Sequence, residues 1–289
     1  MKRNLHLLVI DPQNDFCDLP ADYLPPPVGA NAAPAPALPV PGAHADMLRV
    51  AELIRRGQDG LSAISITLDS HHRFDVAHSS FWMDAGQGAV APFTQITAAQ
   101  VRQGMYLPRK ASALPRVLAY LDALEAAGRY TLMAWPVHCE IGSWGHNVHA
   151  DVRAAYNAWE ERALGIVAKI GKGSNPWTEH YSAVQAEVPD ADDESTQVNQ
   201  AFLALLRGSD QVYITGEAGS HCVRATTEHI VANWDQQHLS QLVLLTDCMS
   251  PVTGFQAQYD DFVRDMRARG LRIAQAADIV PELLANARR

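Results

Sequence analysis

The chain has 289 residues, 47% of them hydrophobic and 19% charged, with a formal net charge of −9. That length fits one α/β domain with a sizeable core. The acidic balance argues against a nucleic-acid surface, which needs a basic patch, and no stretch approaches the roughly 20 apolar residues of a membrane-spanning helix. The opening residues, MKRNLHLLVIDPQNDF, join two basic residues to an apolar run that is short and lacks a small-residue cleavage site. They read as a buried strand rather than a secretory leader, and a cytoplasmic location is the default expectation. The four cysteines, Cys17, Cys139, Cys222 and Cys248, are far apart and never form CxxC, which argues against a zinc ribbon and for free thiols.

Taken in chain order, short apolar runs at 5–10, 62–68, 130–134, 165–168, 211–215 and 241–245 read as strands. They lack polar alternation, as strands covered on both faces do. Between them, apolar spacing of three and four predicts helices over 46–56, 113–126, 148–164, 196–206, 223–236 and 256–269. Ser195 and Thr196 read as helix caps and Gly270 as a helix stop. Strand and helix alternate, which predicts a three-layer α/β/α sandwich, doubly wound around a mainly parallel sheet. Two segments interrupt the pattern. Residues 20–42 hold eight of the 17 prolines, mixed with Ala, and read as a loop. Residues 83–126 read as a partly structured insertion. The expectation is one domain over 1–289 with these two inserts.

In an open α/β sheet, ligands bind at the carboxyl ends of the strands. Reactive residues fall there repeatedly: Asp11 in VIDPQNDF, Asp69 in ITLDSHH, His138 in MAWPVHC, Lys172 in VAKIGKGS and Cys222 in YITGEAGSHC. Alone, a strand-end Asp is usually a cap or turn former and a buried Cys is usually inert. Their joint placement points to a nucleophile with acid–base partners. Asp69 and His71 stand two apart, so on an extended segment both side chains point the same way. The run IGKGS at 170–174 has some likeness to a phosphate loop, but Gly173 separates Lys172 from Ser174 and the earlier glycine is missing.

The stretches DPQNDFC at 11–17, DSH at 69–71, HSSF at 78–81, WPVHC at 135–139, KGSNPWTEHYSAV at 172–184 and GEAGSHCV at 216–223 recur in one order over nearly the whole chain. In this the sequence resembles the nicotinamidase branch of the isochorismatase-like cysteine hydrolases. The resemblance implies hydrolysis of nicotinamide to nicotinate and ammonia through a cysteine thioester, a reaction of NAD salvage. It implies Cys222 as nucleophile, Asp11 as proton acceptor and donor, and Lys172 as the cation that favours the thiolate and holds Asp11. The Ala218 and Cys222 N–H groups would form the oxyanion hole, with a cis peptide at Glu217–Ala218. A divalent ion, zinc before iron or manganese, would sit on Asp69, His71 and His138, with His78 a candidate fourth ligand. Phe16 and Trp135 would flank the pyridine ring, although for Phe16 ordinary packing is an equal alternative. His221 would line the pocket, and His72, His146, His149, His180, His229 and His238 are assigned to surface or packing. Members of this family are often homo-oligomers, and the partner is otherwise a small amide.

The sequence departs from that family in three places. His71 and His138 are 67 positions apart, a wider gap than compact members have. The Pro/Ala segment is extra, and Lys169 stands three residues before Lys172. Lys172 is preferred because it alone aligns with the following Gly, Pro and YSA. These departures leave another small primary amide as an alternative substrate. A catalytically silent metal- or ligand-binding protein is a further alternative, which the presence of Asp11, Lys172 and Cys222 disfavours.

Overall fold

The computed structural model describes residues 1–27, 29 and 33–288. In chain order it places β1 (Leu5–Ile10), α1 (Ala43–Gly57), β2 (Ala63–Asp69), β3 (Trp82–Asp84), β4 (Thr94–Ile96), α2 (Ala98–Arg102), β5 (Tyr106–Pro108), α3 (Leu114–Ala127) and β6 (Leu132–Ala134). There follow α4 (Ala150–Ala163), β7 (Ala168–Lys172), α5 (Gln200–Arg207), β8 (Gln211–Gly216), α6 (Cys222–Ala232), β9 (Leu242–Leu245), α7 (Gln256–Arg269), β10 (Arg272–Ala274) and α8 (Ala276–Ala287). Six strands form one sheet in the order β10-β9-β8-β1-β2-β7, and every pairing in it is parallel.

The fully buried runs LHLLVI, QVYITG and LVLL make the three central strands, as continuous apolar runs do in a sheet covered on both sides. The chain winds outward from β1 through β2 to β7, then returns to β8 and winds the other way to β10. Right-handed crossovers therefore set α1 and α4 on one face and α6 and α7 on the other. The winding direction reverses between β1 and β8, and the crevice at the carboxyl ends of these two strands is where such folds bind ligands. Gly216 closes β8 there with a φ of 120°, and a Cβ at this position would lie 2.0 Å from the Ile10 carbonyl oxygen. Only glycine lets the two strand ends approach this closely.

The fold class is the expected one, with four local differences. Residues 132–134 form a strand, but it pairs antiparallel with β4 outside the main sheet, because the insertion supplies its partner. The fourth predicted strand starts later, at Ala168, after Leu164 takes a left-handed φ of 51° and Gly165 packs against the Trp159 ring. Ser195 and Thr196 belong to a short 3-10 turn, and Asn199 caps α5 by accepting the Phe202 N–H. Strand β10 and helices α2 and α8 were not expected; α8 holds Pro281, which reads as a breaker in sequence. Gly270 ends α7 in a left-handed conformation, as expected.

The insertion builds its own core. Val76, Phe81, Trp82, Ile96, Val117, Leu121, Leu124 and Leu132 form a buried cluster separate from the main one. The Pro/Ala segment lies over the end of β1, where the Leu38 N–H donates to the Asp15 carbonyl and the Val40 N–H to the Phe16 carbonyl, both at 3.0 Å. None of the helices among the described residues is long and apolar enough to cross a membrane.

Candidate active site

Asp11 follows β1 with a φ of 44°, fixed by two contacts from one side chain of β2. Its N–H donates to Thr67 Oγ1 at 3.0 Å, and the Thr67 hydroxyl donates back to Asp11 Oδ1. Lys172 ends β7 and reaches across the sheet edge. Its Nζ lies 3.0 Å from Asp11 Oδ2, 2.8 Å from Asp69 Oδ1, 3.0 Å from the His180 carbonyl and 3.6 Å from Cys222 Sγ. Cys222 is the first residue of α6, so its sulfur sits at the positive end of the helix dipole. All three side chains are buried. Asp11 Oδ2 makes an ion pair with Lys172 but has no aligned hydrogen bond among the described residues, which leaves it open to a proton.

Burial dominates the electrostatics. It pushes the Cys222 thiol well above its usual range; the Lys172 ammonium pulls the other way, and Asp11 adds to the rise. The ammonium favours the thiolate but does not overcome burial, so the resting sulfur keeps its proton. Burial likewise raises the Asp11 carboxyl, partly offset by Lys172. On Lys172, burial favours the neutral amine, but Asp11 and Asp69 together hold the ammonium firmly protonated. The thiol and the ammonium both hold their protons, while Asp11 lies between burial, which favours its acid form, and Lys172, which favours its carboxylate.

The peptide Glu217–Ala218 is cis. Neither the Ala218 nor the Cys222 N–H donates a hydrogen bond among the described residues, and both residues line the same pocket. Two free donors beside a nucleophile can stabilise a developing oxyanion.

A second set of side chains lies beside this one. Asp69 ends β2, and its Oδ2 is 3.1 Å from His71 Nε2 and 3.4 Å from His138 Nε2. His71, His78 and His138 each offer a ring nitrogen, and these lie within 4.8 Å of one another. The 67-residue gap closes because residues 70–79 and 135–141 run side by side beyond the end of β2. The His71 N–H donates to the Cys139 carbonyl at 3.0 Å and the Trp135 N–H to the Ala77 carbonyl at 2.7 Å. His138 is thus delivered by this extension and not, as expected, by a strand of the main sheet. The Gln13 amide holds Asp69 from both sides, accepting its N–H at 2.7 Å and donating to its carbonyl at 2.8 Å.

These residues fit a divalent cation. His71 Nδ1 lies 2.9 Å from Asp75 Oδ2 and His138 Nδ1 2.9 Å from the Pro136 carbonyl, partners that direct each Nε2 toward Asp69. His78 Nδ1 is buried with no partner among the described residues. Two buried carboxylates, Asp11 and Asp69, share one ammonium, and a third, Asp75, faces His71. In the protein alone, burial opposes an imidazolium at His71, but Asp69 and Asp75 outweigh it and hold the ring protonated. A divalent cation would carry that positive charge and displace the proton, and an O,N,N set with open positions suits zinc, iron or manganese. Replacing Asp75 by Asn should weaken metal affinity by about 10- to 100-fold, as loss of an orienting partner does; competition with a chromogenic chelator measures it, and unchanged affinity would remove Asp75 from this role.

The pocket over Cys222 is a narrow cavity of about 20 Å3 walled by Phe16, Leu38, Trp135, Tyr181, His221 and Val252, with Asp69, His138 and Glu179 on its polar side. The Phe16 ring stands 5.4 Å from that of His138. Trp135 donates its indole N–H to the Tyr181 hydroxyl at 3.1 Å and meets His221 edge-on at 5.2 Å. Several of these residues carried no usable sequence signal. Tyr181 lies inside the YSA motif, but nothing distinguishes Glu179 from a surface acid. It is buried, its Oε2 has no partner among the described residues, and burial pushes its carboxyl upward. His180, assigned to surface or packing, is buried and accepts the Gly173 N–H at 3.2 Å while its carbonyl holds Lys172.

A scan against protein-family models and a search of curated proteins found no match. Solved structures do match. The yeast nicotinamidase bound to the inhibitor nicotinaldehyde is 17% identical with a TM-score of 0.61, over 94% of this chain and 99% of that one. A nicotinamidase/pyrazinamidase from Acinetobacter baumanii is 18% identical with a TM-score of 0.59, over 96% and 98%. A pyrazinamidase of Pyrococcus horikoshii in complex with zinc is 20% identical with a TM-score of 0.51, over 94% and 99%. Along nearly its whole length, the chain has the fold of these amide hydrolases.

Proposed function

We propose that this chain is a metal-dependent cysteine amidohydrolase of the nicotinamidase type, which converts nicotinamide to nicotinate and ammonia. The observation that carries the reading is the convergence of Cys222, Asp11 and Lys172 on one buried point, with Asp11 Oδ2 free to take a proton and a pocket open above the sulfur. The fold shared with nicotinamidases and pyrazinamidases supports it.

The geometry performs the reaction as follows. Asp11 takes the thiol proton as Cys222 Sγ bonds to the amide carbon, which suits a thiol whose burial disfavours a standing thiolate. The Ala218 and Cys222 N–H groups receive the oxyanion. The C–N bond then breaks, and Asp11 passes its proton to the departing ammonia, leaving a thioester. Water, losing a proton to Asp11, attacks the thioester carbon, and that proton returns to sulfur as the acid leaves. Lys172 stays protonated throughout and neutralises Asp11 and Asp69. Phe16 and Trp135 bound the slot for a flat ring. Asp69, His71 and His138, with His78, would hold the divalent ion, zinc before iron or manganese, and that ion would supply Lewis-acid polarisation and a fixed point for the ring nitrogen.

We read the chain as one hydrolase domain with two inserts, acting on a small molecule and assembling with copies of itself. Another small primary amide is the second reading. Glu179, whose Oε2 has no partner among the described residues, and Leu38 from the Pro/Ala segment favour it, because both shape the pocket wall. Ammonia release from nicotinamide and a panel of primary amides, before and after metal removal, tests the proposal. Turnover of nicotinamide that chelation abolishes and zinc restores is the expected result. Turnover of other amides alone would select the second reading, and no turnover of any amide would reject both.

A further inference from the structure

Behind the oxyanion-hole backbone lies a pair of acids that the reaction does not use. Glu217 directly precedes Ala218 and is fully buried; Asp46, on α1, is 2% exposed. Glu217 Oε2 accepts the Ser250 N–H at 3.2 Å, while Oε1 meets no donor among the described residues. Both acids accept from Ser250, Glu217 from its backbone N–H and Asp46 from its hydroxyl, which sets the two carboxyls beside each other. The Ser250 hydroxyl donates to Asp46 Oδ2, and the Gly219 N–H donates to the Ser250 carbonyl at 2.8 Å. The turn that carries Ala218 and Cys222 is thus tied through Glu217 and Ser250 to α1.

The groups around Glu217 come from four directions. Asp46 and Arg49 belong to α1, Cys17 and Asp18 follow β1, Asp247 and Cys248 follow β9, and Tyr259 belongs to α7. Arg49 is the one cation in this set. Its guanidinium is engaged by Asp46 and by the Asp247 carbonyl, and its side chain is 45% exposed. No cation contacts Glu217 among the described residues. An unpaired buried carboxylate is costly, whereas a carboxyl that donates to Asp46 satisfies both acids.

We propose that Glu217 is held as a neutral carboxyl that shares its proton with Asp46, and that this pair is the positioning device for the Ala218 N–H. Burial and the Asp46 charge push the Glu217 carboxyl in the same direction. The positioning half rests on the hydrolase reading above; the shared proton does not.

The test therefore has two independent readouts, made on the full chain, its E217Q variant and a D46N variant. The first is unfolding free energy from urea titration between pH 5 and pH 8. A carboxyl raised in the folded state costs stability as pH rises from its unfolded value, near 4.3, up to its folded value. The wild type should thus lose up to about tenfold in folding equilibrium per pH unit relative to E217Q, which has no proton to release. D46N, which removes the charged acceptor, should show a smaller slope than the wild type. A wild-type minus E217Q difference that stays flat over this range overturns the shared proton, whether or not the protein hydrolyses amides. The second readout is kcat and KM against pH on the amide that is turned over. E217Q, isosteric and still able to donate to Asp46, should retain the rate and lack the alkaline fall expected of the wild type. E217A should lower kcat by about 10- to 100-fold at unchanged KM, as a displaced oxyanion donor does. An E217A variant with wild-type kcat overturns the positioning role.

Discussion

Replacing Cys222 by Ala is expected to abolish amide hydrolysis, by four orders of magnitude or more, while the fold persists. The size of the effect follows from the covalent route. No other thiol stands in the pocket wall among the described residues, and Cys17, Cys139 and Cys248 are buried with thiols raised by burial. The persistence of the fold follows from what is deleted. One sulfur atom leaves a site that opens onto the pocket, so the loss is about 1 kcal/mol. The substitution also leaves Lys172 its shorter contacts to Asp11, Asp69 and the His180 carbonyl. Ammonia release and thermal unfolding, measured on the same preparation, check both halves. Residual turnover near the wild-type rate would remove Cys222 as nucleophile. A collapsed variant would show that the sulfur has a structural duty that the contacts do not reveal.

How much of this was legible in the sequence varies with the physics of each part. The three strands β1, β8 and β9 are short, largely apolar runs, and burial on both faces leaves that mark in the residues. The chemistry-bearing residues at their ends were readable for the same reason, since a polar residue closing an apolar run is conspicuous. Asp11, Asp69 and Lys172 stand so, Cys222 follows the turn after β8, and the structure brings their side chains together. What escaped depends on partners distant in sequence. Residues 132–134 look like another sheet strand, but their partner is β4, which the insertion brings. Asp75 is one Asp among many until its carboxylate is seen at His71 Nδ1. Glu179 and Glu217 lie within the 172–184 and 216–223 stretches, but no sequence pattern reports that a lone charged residue is buried. Leu38 lies in a Pro/Ala run whose order comes from hydrogen bonds to residues 15 and 16, not from any periodicity of its own. Strand β10 is three residues long, and Pro281 masks α8.

The second large effect is expected at Lys172. Its ammonium touches both Asp11 and Asp69, and replacing it by Met keeps the chain length while deleting the charge. Two buried carboxylates then lose their shared cation. Breaking a buried pair in this way costs about 3–5 kcal/mol. The pH dependence identifies the cause. In the wild type, Lys172 has its folded pKa raised, so its contribution is fully present at neutral pH and is lost only as pH climbs through that raised value. In Lys172→Met, burial acts on Asp11 without the opposing ammonium, so the folded carboxyl rises further above its unfolded value near 3.9. Its penalty then grows as pH rises from about 4, and the variant should recover toward acid more steeply than the wild type. Urea titrations at pH 5 and pH 8, with chelator in both samples, separate this from an effect of bound metal. A variant that loses the same stability at both pH values would mean that packing of the lysine stem, not charge, is what the site misses. One as stable as the wild type at pH 8 would mean that Asp11 and Asp69 do not depend on this ammonium. The same variant should turn over amides at least about 100-fold more slowly, because an Asp11 that already holds a proton cannot accept the one on Cys222. Loss of rate and loss of stability thus have one origin, the charge that keeps a buried carboxylate ready to act as a base.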